Sequence, residues 1–476
     1  MATSAHPSDG PTGQASIPYP QRWLALALLG IAQFMLILDV TVVAIALPHM
    51  GADVGLSREE LTWVVSAYTL TFGGLMLLGG RLADLIGPKV LVFAGLAVFT
   101  IASLVTGAAE EAGTVLTGRV GQGLGAAMLS PAALSAVVRM FDGDERNRAL
   151  GIWSALGGGG AAVGVLVGGV LTAGPGWPWV FYVNVPIGVI VLVVLARVLP
   201  NLPPAGLGAS RRPDVLGAVL VTAATGTLIY AMIDAGDDGW LEPRTLTLFA
   251  VSVVLYLAFG LWQRIAPSPL MDLHLIARRP VSSGIFVIAI TTALMVAVFF
   301  LGSFYLQGRG DLGPLATGLL FLPVALATMA GAQIGGQLIG RTGGRALGVG
   351  GMLLAAAGLA VPVLWTTTVG VVVGISVGAA GLGTLFVVAS ATALGMVAPH
   401  EAGIASGIVS TFHEFGASLG AAVVSSVAAA SLVDQTASGY TAAFLVAAVA
   451  AAVSAAVAGF VLPGRVKTAP EEAVAR

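Results

Sequence analysis

Three ionisable side chains stand inside stretches that are otherwise apolar, where a charge is costly. Asp39 lies in Leu38-Asp39-Val40-Thr41-Val42-Val43, Arg119 opens Arg119-Val120-Gly121-Gln122-Gly123-Leu124-Gly125, and Glu414 sits in Phe412-His413-Glu414-Phe415-Gly416. A carboxylate in such surroundings is neutral, paired or facing water, so it can take a proton from one side of a membrane and yield it to the other. An always-charged guanidinium there lines a cavity or meets a partner. Asp39 and Arg119 are therefore expected to meet, with Gln122 on the same helix face as Arg119. Glu414, among aromatic neighbours, suits a lipophilic cation or a second protonation step. Proton coupling is assigned to Asp39, Arg119 and Glu414, and a substrate cavity to Asp39, Gln122, Phe412 and Glu414. His413 points about 100° away from Glu414 round the helix and reads as an ordinary polar contact. The competing structural readings are a permanent ion pair at Asp39 and a helix clamp at Arg119.

Other chemistry finds no support. There are no cysteines, and the five histidines are scattered singly, so neither thiolate chemistry nor a metal site is expected. The run Gly157-Gly158-Gly159-Gly160 has no Gly-Lys-Ser/Thr after it, which argues against a phosphate loop and ATP hydrolysis. No nucleophile-base constellation is visible, and catalytic residues are not assigned. A net charge of −2 says nothing in favour of nucleic acid, and no such partner is expected.

The elements that must position these residues are membrane helices. Hydrophobic residues make up 57% of the chain and charged ones 9%, with mean hydropathy +0.96, a composition no wetted globular surface tolerates. The first apolar run, Trp23 to Pro48, is long enough for a hydrocarbon core of about 30 Å. It is too long for a signal-peptide core, and it contains Asp39. Further spans are predicted near 61–80, 89–108, 113–138, 148–172, 180–198, 215–233, 244–262, 281–306, 316–340, 346–366, 369–397, 405–431 and 440–461, fourteen in all. Of the 21 basic residues, all but Arg58, Arg119, Arg244 and Arg309 fall in one set of alternate loops or the tails. By the positive-inside rule both termini are cytoplasmic.

The chain also repeats itself. Gly79-Gly80-Arg81-Leu82-Ala83-Asp84-Leu85-Ile86-Gly87-Pro88-Lys89, read as a charged turn between two spans, returns as Gly335-Gly336-Gln337-Leu338-Ile339-Gly340-Arg341-Thr342-Gly343-Gly344-Arg345. The same offset carries Gly151, Ile152, Ser154, Gly160 and Gly164 onto Gly407, Ile408, Ser410, Gly416 and Gly420. Two related six-helix halves separated by two extra spans account for this. The expected organisation is a disordered tail 1–21, a first bundle 22–200, two linker helices in 201–266, a second bundle 267–462 and a tail 463–476. Gly160, Gly164, Gly168 and Gly169 form a nearly bare helix face, for tight packing or sliding between states. Asp84, set between Gly80 and Gly87 and followed by Lys89, is expected to engage a helix N-terminus or Arg139 as a gating lock.

Together these stretches resemble the major facilitator superfamily, and within it the fourteen-span drug:proton antiporters. The Asp39 stretch is similar to that family's first-helix motif, the Asp84 turn to its loop motif, Arg119 to Ala127 to its fourth-helix motif, Gly164 to Gly169 to its antiporter motif, and Trp177 to Gly188 to its entry into span six. The sequence departs from the pattern at Val165, where the antiporter motif has proline, at Leu85 and Pro88, where basic residues are usual, and at Ala44, where asparagine is common. The resemblance implies an all-α major facilitator fold, alternating access of two bundles, help from Arg119 in proton transfer and participation of Asp39 in coupling. The reading reached from the sequence is a proton-coupled exporter of lipophilic, often cationic drugs or antibiotics. It is placed in a bacterial cytoplasmic membrane, using the proton gradient without a cofactor and acting as a monomer in the bilayer. A dedicated exporter of one endogenous metabolite or antibiotic and a non-transporting receptor or scaffold are the alternatives.

Overall fold

The computed structural model describes residues 19–204, 213–395, 397, 401–429 and 437–464. Most of both expected tails, with Arg211, Arg212 and His400, lies outside the described residues. The first set of helices is α1 (Arg22–Val54), α2 (Arg58–Ile86), α3 (Pro88–Gly107), α4 (Ala112–Met140), α5 (Gly143–Ala173), a one-turn α6 (Trp179–Tyr182) and α7 (Asn184–Val198). Two more follow, α8 (Val215–Asp237) and α9 (Pro243–Ile265), then a short α10 (Leu273–Ala277). The last set is α11 (Arg279–Phe304) with a π-helical end at Tyr305–Arg309, α12 (Pro314–Leu320), α13 (Leu322–Thr342), α14 (Gly344–Leu364), α15 (Thr368–Leu394), α16 (Ala402–Val427) and α17 (Ala437–Val461).

Among the described residues, thirteen helical stretches are long and apolar enough to cross a membrane. The remaining expected span coincides with the 31-residue α5, whose described apolar part is Ala162–Ala173. The protein is an all-helical, multi-pass membrane protein.

Helix ends depart from the sequence reading where charge sits on a helix. The first span was expected to stop at Pro48, yet α1 runs on to Val54 and ends at Gly55 with φ 72°. Proline removes one backbone donor and leaves the following turns intact. Glu59 and Glu60, expected in a loop, form the first turn of α2, where Ser57 and Glu60 make a reciprocal capping box. The stretch Gly79 to Ile86, expected as a turn, is the last two turns of α2, so the reversal is confined to Gly87, φ 98°. Glu, Arg and Lys are good helix formers once the helix leaves the hydrocarbon, and Gly55 and Gly87 take up positive-φ backbone that other residues avoid.

The repeat is physical. Gly343, which matches Gly87, also has positive φ, 84°, between α13 and α14. Lys89 Nζ donates to Leu199 O at the end of α7 (2.6 Å), and its counterpart Arg345 donates from Nε to Leu462 O just past α17 (2.9 Å). Helix α4 packs on α2 and α3 as α15 packs on α13 and α14, and α5 packs on α1 as α16 packs on α11. Most basic residues lie at one end of the molecule (Arg22, Arg81, Lys89, Arg278), with acidic partners such as Glu145 and Glu401 among them, while the other end carries Glu59, Glu110, Asp237 and Asp238 with few basic residues; these are called here the basic and acidic ends.

Close packing rests on small residues. At the α3–α4 crossing a Cβ on Gly125 would lie 2.5 Å from Phe99 N and 2.7 Å from Gly95 O, both unyielding backbone atoms. Gly125→Ala should therefore cost about 1–3 kcal/mol through overpacking. The measurement is thermal unfolding in detergent, followed by tryptophan fluorescence. Gly113→Ala, with nothing within 4 Å of the added Cβ, is the control expected to leave the midpoint unchanged or slightly raised.

Candidate functional site

Arg119 and Gln122, one turn apart on α4, reach into the first set of helices because glycines bring the neighbours close. A Cβ on Gly123 would lie 2.6 Å from Tyr68 O on α2, and one on Gly121 2.9 Å from Ala102 Cβ on α3. At that range the Arg119 guanidinium donates from Nε to Val64 O (2.7 Å), and from Nη1 to Asp39 Oδ2 and to Gln122 Oε1 (2.9 Å). Gln122 Nε2 donates to Asp39 Oδ1 (2.8 Å) and Ser103 Oγ (3.0 Å). The Tyr68 ring covers the guanidinium at 4.5 Å, a cation–π contact, and Phe181 stands at 5.9 Å.

Asp39, Arg119 and Gln122 are almost wholly buried, at 3%, 1% and 0% exposure. Both carboxylate oxygens are occupied, so Asp39 is held as half of an ion pair. Desolvation of two buried charges is expensive, and it is offset here because the oxygens and most of the guanidinium fork are hydrogen-bonded. Asp39 and Arg119 meet, as the sequence suggested, and Gln122 joins them. Ser103, Tyr68 and the Val64 carbonyl complete the shell. Sequence reasoning missed these three, since a serine or tyrosine in an apolar helix carries no signal of its own.

Glu414 lies elsewhere. It is 8% exposed on α16, with its Cβ 2.6 Å from where a Cβ on Gly73 of α2 would sit, so it lies at the junction of the two sets of helices. His413 Nε2 stands 3.9 Å from Glu414 Oε1, and the His413 ring lies 5.8 Å from Phe386. Phe412 is edge-on to Phe415 at 6.3 Å. The four residues expected in one cavity thus separate into two groups. Asp39 and Gln122 are sealed within the first set, while Phe412 and Glu414 are on α16.

The expected lock between Asp84 and Arg139 is not formed. Arg139 Nη1 donates to Pro203 O (2.7 Å), Arg81 Nη2 to Ser268 Oγ (3.0 Å), and Asp84 lies in the field of both arginines with no ion pair among the described residues. Gly80 has only Pro131 Cβ near, at 3.6 Å. The glycine face of α5 does pack tightly. Gly160 abuts Ile37, Gly164 abuts Thr41 and Gly168 abuts Val42, all on α1. Gly169 turns the other way, where an added Cβ would lie 2.9 Å from Pro314 O, and a Cβ on Gly318 of α12 would lie 2.5 Å from Val165 O. Val165, standing where a motif proline was expected, thus offers its carbonyl to the α5–α12 crossing.

A row that sequence reasoning passed over joins the two sets of helices. Arg58, Thr62, Ser66 and Thr69 recur at helical spacing on α2 and face Ser425 and Ser418 of α16. A polar stripe on one face of an apolar helix was the available signal.

Two repeated sets of helices, meeting along a polar seam and burying ionisable side chains at membrane depth, define a membrane transporter. A sequence model of the Major Facilitator Superfamily matches residues 29–421, and the chain belongs to that family. It is 36% identical to the puromycin resistance protein of Streptomyces alboniger, over 95% of this chain and 94% of that one. It is likewise 36% identical to the cephamycin export protein of Amycolatopsis lactamdurans, over 85% and 84%. The fold matches the crystal structure of a bacterial homologue of the human lysosomal transporter Spinster, inward-facing and unoccupied, with TM-score 0.66 at 16% identity over 93% of this chain and 97% of that one.

Proposed function

We propose that the protein is a proton-coupled exporter of lipophilic, often cationic drugs or antibiotics, working by alternating access in the cytoplasmic membrane with both termini inside. The observation that carries the reading is Glu414, a carboxyl buried at the junction of the two helix sets and, among the described residues, without a basic partner closer than His413 at 3.9 Å. A group so placed binds either a proton or a cation, and exchange of one for the other is antiport. Asp39 is the second proton site in this scheme. Protonating it would break the pair with Arg119 and free the guanidinium to rearrange. Asp84, in the last turn of α2, and Arg139 form their lock when the cytoplasmic side is closed. The relatives' names support antibiotic export, and the crowding of arginine at one end supports the orientation.

Purified protein in vesicles with an imposed proton gradient tests this. Lumenal pH is followed while lipophilic cations, neutral antibiotics and anions are added in turn. Proton movement with many unrelated cations is the expected outcome. Movement with a single compound would establish a dedicated exporter, a reading favoured by the single antibiotics in the relatives' names, and no movement at all would sink transport coupled to protons.

A further inference from the structure

The two additional helices, α8 and α9, are not mere spacers between the halves. Helix α8 lies in the groove where α2 and α16 meet and touches both. A Cβ on Gly226 would lie 3.2 Å from Leu70 of α2, and one on Gly236 lies 2.8 Å from Ser426 Cα of α16. At the acidic end of this three-helix seam sits Arg58, 8% exposed. Its guanidinium donates from Nε and Nη2 to the two carboxylate oxygens of Asp237, from Nη2 to Ile233 O (3.0 Å), and from Nη1 to Ser425 Oγ (3.2 Å). Asp237 and Ile233 belong to α8, Ser425 to α16. Ser425 Oγ also accepts from Thr62 Oγ1 at 2.6 Å.

The side-chain hydrogen bonds that join α2 to α16 and Gln307 to Ile45 O lie in the halves of these helices toward the acidic end, whereas near the basic end Arg81 bonds Ser268, in the segment between α9 and α10. The arrangement is therefore fastened at that end. We propose that Arg58 is the gating residue of the acidic end and that Asp237 of α8 is its positioning residue. When α16 leaves α2, Arg58 loses only Ser425. Its bidentate pair with Asp237 and its bond to Ile233 O travel with α8, so the buried cation is satisfied in both states. Helix α8 then moves with the first set and slides against α16 at Gly236, where close backbone approach leaves a smooth surface against Ser426.

The proposal rests on the alternating-access reading, but its test measures accessibility and not transport, so the two fail separately. The chain has no cysteine, which makes single reporters clean. Ser418→Cys reports on the seam, and Leu77→Cys reports on α2 nearer the basic end, where it meets Gly407. Rates of maleimide labelling are read in nanodiscs. Adding Arg58→Ala should speed labelling at the Ser418→Cys reporter by roughly five-fold or more and leave the Leu77→Cys reporter no faster. Asp237→Ala should give a smaller rise, and Asp237→Glu should restore the parent rate. Asp237 is exposed at its surface side, so its variants remain readable even if Arg58→Ala does not fold. An unchanged rate at the Ser418→Cys reporter in monodisperse Arg58→Ala or Asp237→Ala protein overturns the proposal, as does an equal rise at both reporters, which would mean general loosening.

Discussion

Arg119→Ala should abolish export and destabilise the protein by about 3–5 kcal/mol, because it strands the buried Asp39 carboxylate with one remaining side-chain donor, Gln122. Arg119 is the hub of the site: one guanidinium satisfies Asp39, Gln122 and the Val64 carbonyl together. Lysine carries the charge but lacks the fork that serves these three directions, so Arg119→Lys should recover part of the stability and little of the transport. Pairing Arg119→Ala with Asp39→Asn removes the stranded charge, and the double variant should melt above Arg119→Ala alone while remaining inactive. Tryptophan fluorescence on heating and drug-driven proton flux in vesicles check both halves. A wild-type melting temperature in Arg119→Ala would show that the buried pair is not what holds α1, α2 and α4 together.

Glu414→Gln should behave in the opposite way on stability. Glutamine is nearly isosteric and carries no charge to desolvate, and among the described residues Glu414 has no salt bridge to arginine or lysine to lose, so the folded state is expected to be unharmed or slightly firmer. Proton-driven export of cations should nevertheless fall by more than about ten-fold, as the exchangeable proton and the recognition charge vanish together. Uptake of a fluorescent cation into inverted vesicles, run beside a thermal melt, separates the two effects. Full cation export at wild-type stability would remove Glu414 from the mechanism and leave Asp39 as the sole proton carrier.

Much of this was legible in the sequence because membranes penalise charge so heavily. Asp39 and Arg119 announced each other, since neither is tolerable alone in hydrocarbon, and Gln122 followed from helical spacing. The repeat was visible in Gly87 and Gly343 because their positive φ admits few other residues. What lay hidden was whatever depended on the depth at which a helix ends or on which helices meet. Arg58 was read as a loop residue because it is charged, whereas the fold buries it against Asp237, 179 positions away. Ser418 and Ser425 were silent for a related reason: in an apolar helix a hydroxyl can always bond its own preceding turn, so its presence does not imply a partner. Spacing along a chain does not tell which side of α2 each group approaches, so it did not show that Asp39 and Gln122 lie within the first set while Phe412 and Glu414 come from α16.

The matched caps, Lys89 on Leu199 O and Arg345 on Leu462 O, bear on the order of assembly during synthesis. Each half carries, in the first turn of its third spanning helix, the cation that donates to a carbonyl at the C-terminal end of its own last helix. The first half can therefore fasten itself as soon as α7 has left the ribosome, before any of the second has been made. Insertion then proceeds as two self-completing modules joined late along the α2–α16 seam, and the polar groups of that seam stay exposed until the second module arrives.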